Sequence, residues 1–146
     1  MTRRARGFTI TELVVVIVIA SILSAVVISR INTQAFDTEG FANRAAAMVR
    51  YAQKIAIAQR RTVFVVATAS NIKLCYTDAS CASPVHEPPG TNAFSYAAPS
   101  GVTLSSASFS FNALGQPSAA VTLTITGDVA RNITVQAETG YVQYAP

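Results

Sequence analysis

Tryptophan is absent, histidine occurs once, cysteine twice, and charged residues make up only 12% of the 146-residue chain; no proline precedes Pro84. Each scarcity excludes something. With His86 the sole histidine, set in a Pro-rich stretch, a Ser/His/Asp or Cys/His system would have to be built around a residue that reads as a solvated loop side chain. Gly90 and Gly115 stand alone, so no Gly-rich loop is present to cradle phosphate. One cysteine pair with His86 and a few carboxylates is a poor metal-ligand set. No catalytic residue, metal or cofactor is expected. The length suits one domain, and so low a charge content is unusual for a chain wholly in water.

What the chain has is one long apolar run. From Leu13 to Ile28 no residue is charged, and only Ser21 and Ser24 are polar. Counted from Phe8 and accepting Glu12, a helix of this stretch would span roughly 30 Å, the thickness of a bilayer's hydrocarbon core. Arg3, Arg4 and Arg6 precede it and supply most of the net charge of +4, whereas residues 8–146 hold 8 basic and 7 acidic side chains. Arginines clustered before an apolar run mark the cytoplasmic side, so the remainder should cross outward. A secretory signal would end in small residues, as at Ser24-Ala25-Val26, and would be followed by a new domain. Instead the helical pattern continues.

After Arg30, the residues Ile31, Ala35, Thr38, Ala42, Ala45, Val49, Ala52 and Ala56 recur at steps of four and three along one helix face. Phe41, Met48 and Ile55 flank them, while Glu39, Arg50, Lys54 and Arg61 lie largely elsewhere. The stripe predicts a core-facing face on one helix running from about Phe8 to about Arg60. Its weak point is Asp37-Thr38-Glu39-Gly40, where Gly costs about 1 kcal/mol relative to Ala. Beyond Arg61 the pattern turns strand-like. Thr62–Thr68 and Asn71–Tyr76 predict a hairpin through Ala69-Ser70. Val102–Phe111, Ala120–Thr126, Asn132–Ala137 and Tyr141–Ala145 predict further strands, with Glu138-Thr139-Gly140 as the last turn. Thr77–Ser100, with four of the chain's six prolines, reads as a surface loop holding a short strand at Phe94–Ala97. Cys75 and Cys81 favour a disulfide over free thiols if this segment lies outside the cytoplasm, contributing about 2 to 3 kcal/mol.

The string Arg6-Gly7-Phe8-Thr9-Ile10-Thr11-Glu12-Leu13, followed by the Val/Ile run, resembles the class III signal of type IV pilins and type II secretion pseudopilins. The resemblance implies cleavage by a prepilin peptidase after Gly7, methylation of Phe8, and a role for Glu12 in pairing with a neighbouring subunit's N-terminal amine. Arg50 to Arg61 leading into Val63–Val66, Phe111 to Pro117 with its Phe-x-x-x-Gly-x-Pro spacing, and Val135 to Val142 are similar to the minor pilins of the GspH/FimT type, a group that includes the MSHA-type minor pilins. The implied fold is α+β and type IV pilin-like, one long helix on a small, mostly antiparallel sheet. Residues 1–7 would be a cleaved leader, 8–29 a transmembrane and filament-core helix, 30–61 an amphipathic helix, and 62–146 a β-rich head with a Pro-rich loop at 77–100.

Two departures refine this. Where major pilins commonly carry a helix proline, the chain has Ser29, which fits a minor subunit better. DNA-binding members of the FimT type carry a basic motif near the C-terminus, whereas 132–146 holds Glu138 and no Lys or Arg. Arg50, Lys54, Arg60 and Arg61 form a candidate basic patch, but a solvated helix end accounts for them more simply. The expected function is therefore a structural, assembly or tip subunit of a type IV pilus or type II secretion pseudopilus. Its partners would be other pilin subunits, the peptidase and the inner membrane, with the head in the periplasm until assembly. DNA uptake is the first alternative and an anchored enzyme or sensor the second.

Overall fold

A computed structural model of the chain describes residues 7–28, 33–78 and 80–145. Residues 1–6 of the expected leader 1–7, Ile31, and the continuity of one helix across 29–32 lie outside the described residues. Two compact units result, divided after Asn32.

The first unit holds α1 (Ile10–Ile28). Thr9 caps it, its hydroxyl accepting the Glu12 amide at 3.2 Å. The Ser21 and Ser24 hydroxyls donate to the carbonyls of Ile17 and Ala20 at 2.6 and 2.7 Å, so neither leaves an unpaired polar group on an otherwise apolar surface. Among the described residues, no helix is long and apolar enough to cross a membrane. α1 lies within the span expected at 8–29.

The second unit begins with α2 (Thr33–Gln59). As expected, the helix runs unbroken through its weak point at Asp37–Gly40. Thr38 is fully buried with its hydroxyl donating to the Gln34 carbonyl at 2.7 Å, and Glu39 is held from the sheet, so tertiary contacts outweigh the weak helix propensity of Gly40. Ala42, Ala45, Val49, Ala52 and Ala56 of the predicted stripe are fully buried, Ala35 is half-buried, and Phe41 and Met48 join the core. Small residues on this face let strands approach closely. The helix stops where Arg60 adopts φ 50°: the amides of Arg60 and Arg61 bond back to the carbonyls of Ile57 and Ala56, at 3.2 Å each, satisfying orphan carbonyls of the last turn.

Among the described residues eight strands follow: β1 (Val63–Thr68), β2 (Asn71–Cys75), β3 (Ser95–Ala97), β4 (Thr103–Leu104), β5 (Ala107–Phe111), β6 (Val121–Thr126), β7 (Arg131–Val135) and β8 (Val142–Ala145). They form not one sheet but two four-stranded ones, ordered β3-β2-β1-β5 and β4-β6-β7-β8, with every pairing antiparallel. The predicted strand Val102–Phe111 is divided between them. Leu104 donates its amide to Ala69 at 3.2 Å and Ser105 to Thr124 at 2.8 Å, while the Ser105 hydroxyl accepts the Thr124 amide at 2.9 Å, which turns the chain from one sheet to the other.

Both sheets face α2 with their alternate apolar residues. Val63, Val65 and Phe111 come from the first and Leu123, Ile125, Ile133 and Val135 from the second, all between 0% and 1% exposed. Full burial of each such side chain contributes about 1.5 to 3 kcal/mol, which makes this layer the main source of the head's stability. Residues 77–100 are less of a surface loop than composition suggests. Val85 is fully buried, donating its amide to Leu74 at 2.9 Å and accepting that of Phe94 at 2.7 Å, so part of the stretch lies along β2. Cys75 and Cys81 are joined in a disulfide with Cα atoms 5.1 Å apart.

Candidate functional site

Gly7, Phe8 and Thr9 precede the first helical residue and are exposed, Phe8 by 70%. The bond between Gly7 and Phe8 thus lies in a non-helical stretch immediately before the Thr9 cap, with Glu12 exposed in the first turn of α1. A carboxylate there complements the positive end of the helix dipole. From Leu13 to Leu23 the large apolar side chains point outward around the whole circumference, each between 48% and 62% exposed. Such a helix requires cover on all sides.

The head offers a second arrangement, which sequence reasoning missed. Glu39 Oε2 accepts hydrogen bonds from Arg131 Nε at 2.7 Å and from the Tyr144 hydroxyl at 2.8 Å, and Oε1 accepts one from Asn43 at 2.8 Å. Arg131 Nη1 also reaches Asp128 at 2.9 Å and the Val129 carbonyl at 2.9 Å. The group fastens the start of α2 to β7 and β8. Hydrogen bonding by Tyr144, then by Arg131, holds the Glu39 carboxyl below its ordinary value of 4.5, and burial beside that carboxylate pushes the Tyr144 phenol up to about 12. Because Glu39 binds its proton less readily when folded, its contribution is complete above pH 4.5 and declines as pH falls through the lowered value. Melting temperature should accordingly fall on acidification below that point, and Glu39→Gln should remove this component of the decline, measured by thermal melts of the full chain in detergent from neutral pH to pH 3 or so.

At the other end of α2, Gln53 Nε2 donates to the carbonyls of Gly115 at 3.0 Å and Thr139 at 3.1 Å, drawing two loops onto the helix. The candidate basic patch is not a free cluster. Arg50 Nη2 donates to the Val142 carbonyl at 3.3 Å, and the Arg61 guanidinium lies 3.9 Å from the centre of the Tyr76 ring, although all four members, Arg50, Lys54, Arg60 and Arg61, are exposed. His86 is exposed, its backbone bridged to Ala93. Among the described residues, no three His, Cys, Asp or Glu side chains converge on a common point. A cavity of about 320 Å³ lies over Met48 and Tyr51, walled by Pro88 and Phe94 with Arg44 and Glu87 at its rim.

An N-terminal apolar helix behind a processing signal, followed by a helix packed on antiparallel sheets, defines the minor pilin and pseudopilin class. Residues 2–28 match the family model of the prokaryotic N-terminal methylation motif, and residues 42–140 match that of the type II transport protein GspH; the chain belongs to the GspH family. The chain is a minor pilin or pseudopilin, and its family and fold are those of structural subunits, not enzymes. No curated protein sequence matches it significantly. Among solved structures it is similar to the type IV minor pilin FimU of Pseudomonas aeruginosa strain PAO1. In one crystal form the TM-score is 0.60 and the identity 21%, over 78% of this chain and 92% of that one. In a second form they are 0.55 and 17%, over 74% and 92%. The minor pseudopilin EpsH from the Type 2 Secretion System of Vibrio cholerae gives 0.53 and 13%, over 77% and 95%. At these identities the likeness is one of fold.

Proposed function

We propose that the chain is made as an inner-membrane precursor with its head on the periplasmic side, cut between Gly7 and Phe8, methylated on Phe8, and assembled by α1 into a type IV pilus or a type II secretion pseudopilus. The observation that carries this reading is the all-round exposure of the apolar side chains of α1 behind the Gly7-Phe8 and Glu12 string. At about 1.5 Å per residue, Ile10–Ile28 is roughly 28 Å long, a slightly short match to hydrocarbon of roughly 30 Å that local thinning accommodates. In a filament, the same side chains exchange lipid for neighbouring helices, and packing between helices becomes the driving force. Glu12, costly in an apolar setting by about 2.5 kcal/mol or more, gains a partner in the α-amine freed by cleavage of an adjacent subunit. The residue sequence 8–29, then 30–61, then 62–146 serves as anchor, support and head. The disulfide and the 77–100 segment face the compartment in which oxidation persists.

The DNA-uptake alternative is not favoured, since residues 132–146 hold no Lys or Arg to neutralise phosphate. A photocrosslinker at Val16, half-exposed on α1, should capture pilin-like subunits in native membranes. Pilus subunits would assign the chain to a fimbrial filament, and secretion pseudopilins to protein export. Capture of no pilin-like chain would reject the assembly reading.

A further inference from the structure

The filament reading makes no use of the cavity over Met48 and Tyr51. Its helical side is set by spacing: Arg44, Ala47, Met48 and Tyr51 stand at i, i+3, i+4 and i+7, neighbours along one side of α2. Facing them is a segment whose composition promised only a loop. Val85 donates its amide to Leu74 and accepts that of Phe94, the Phe94 carbonyl accepts the Leu74 amide at 3.1 Å, and the Glu87 amide reaches the Asn92 carbonyl at 3.0 Å. Residues 85–94 are therefore a hairpin fastened to β2, drawn in near its tip by the Gly90 amide on the Glu87 carbonyl at 2.7 Å. Pro88 and Pro89 have their φ angles locked by their rings, so this wall is stiff.

The cavity is apolar inside and charged at its rim. Met48 is 2% exposed, and the half-buried rings of Tyr51 and Phe94 meet edge to face with centroids 5.2 Å apart. A polarizable thioether beside aromatic edges and a proline ring is a surface on which an aromatic ring packs well. Arg44 and Glu87 are exposed and opposite in charge, yet neither takes part in an ion pair among the described residues. Arg44 is steadied instead by Tyr96, whose ring centre lies 4.4 Å from the guanidinium carbon. Stacking uses a face of the guanidinium and leaves its N–H edge to fork a carboxylate. The Glu87 carboxylate offers acceptors to an ammonium. An apolar cavity of roughly 150 Å³ already holds benzene. One of about 320 Å³ has room for a ring together with a carbon that bears two charged groups.

We propose that this cavity binds a free α-amino acid with an aromatic side chain, its ring against Met48, Tyr51 and Phe94, its carboxylate on Arg44 and its ammonium on Glu87. The proposal goes beyond the filament reading and stands independently of it. The rim selects by the number of charges as well as by their sign. An aromatic residue inside a peptide has neither α-charge, and an aromatic acid or amine has only one, so each leaves a rim group without its charge-assisted hydrogen bond.

The test reads the cavity floor directly. Met1 and Met48 are the chain's two methionines, so isotope labelling of methionine methyl groups in the full-length chain in detergent gives a Met48 signal, assigned by its loss in Met48→Leu. Phenylalanine titrated into the millimolar range should move that signal saturably through the ring current of the bound ligand. Arg44→Gln and Glu87→Gln, each at an exposed position, should weaken binding about tenfold. N-acetylphenylalanine amide, which keeps the ring and loses both charges, should bind more weakly still, and leucine, which keeps both charges without the ring, should also bind more weakly than phenylalanine. Ala47→Phe, at an exposed position on the same side of α2, should fill the space and abolish the response. The Met48 signal before ligand is added reports whether each variant is folded. A signal that never responds saturably, that responds equally to the uncharged derivative or to leucine, or that keeps its full affinity in both rim variants would overturn the proposal.

Discussion

A Gly7→Val chain coexpressed with a prepilin peptidase should keep its full mass, whereas the natural sequence should lose the seven residues through Gly7 and gain one methyl group. The expected effect is total because the change is made at the bond itself. A protease accepts substrate in extended form, and a glycine before the cut lets the backbone enter without a side chain in the way. Valine adds two methyls on Cβ at that point. Nothing nearby relaxes the demand, since the helix starts only three residues later and Thr9 and Glu12 are already committed to its first turn.

Failure to cut carries two further consequences for assembly. Arg3, Arg4 and Arg6 would stay attached to the helix meant for an apolar filament core, each a charge costly to desolvate without a partner. The α-amine of Phe8 would also never form, leaving a neighbour's Glu12 with nothing to pair with. Glu12→Gln separates these effects: its mass should fall normally, but its yield in sheared filaments should drop. Intact-mass spectrometry of the membrane fraction and immunoblots of the sheared fraction read the two steps independently.

Legibility followed the range of the interaction. The core face of α2 could be read from the steps of four and three between Thr38 and Ala56, because burial on one side of a helix is a local, periodic demand. The hairpin through Ala69-Ser70 and the turn before β8 were legible for the same reason, apolar alternation broken by turn residues. By contrast, the apolar alternation from Val102 to Phe111 only slips phase at Ser105-Ser106, and the placing of β4 and β5 in different sheets depends on bonds from Leu104 to Ala69 and from Ser105 to Thr124 that this slip does not specify. The burial of Val85 is hidden similarly, inside a stretch whose composition is that of a loop.

Glu39 shows what propensity leaves out. Judged by its own helix it sits off the core face, beside a glycine, in the weakest segment of that helix. Its real partners, Arg131 and Tyr144, lie 92 and 105 positions away, and the order they impose outweighs about 1 kcal/mol of intrinsic reluctance at Gly40. Gln53 is equally silent in the sequence, although its amide joins two loops. The string Gly7-Phe8 with Glu12 stands at the other extreme. In the proposed function it is recognised as a linear sequence outside any fold, so a linear reading can find it.

Gly140→Ala should be among the most damaging single-methyl changes in the head, lowering stability by about 2 to 5 kcal/mol. Gly140 has φ +67°, a region that costs an L side chain about 1 to 2 kcal/mol. Its added Cβ would also press on the Gly115 carbonyl, and would come within 3.3 Å of Phe111 Cε1 in the fully buried core. Backbone cannot yield as a flexible side-chain end can. Gly115→Ala, at φ +81°, meets chiefly Ile57 Cδ1 at 2.6 Å, which can swing toward solvent, so its cost should stay near the conformational part alone. Gly90→Ala, without a positive φ and with its nearest atom at 3.4 Å, should be close to neutral. Gly140→Asn completes the comparison, since Asn tolerates this backbone region yet still carries a Cβ. If the carbonyl clash dominates, Asn should be as damaging as Ala, and if conformation dominates it should recover much of the loss. Thermal melts of the four full-length variants beside the natural chain decide between them.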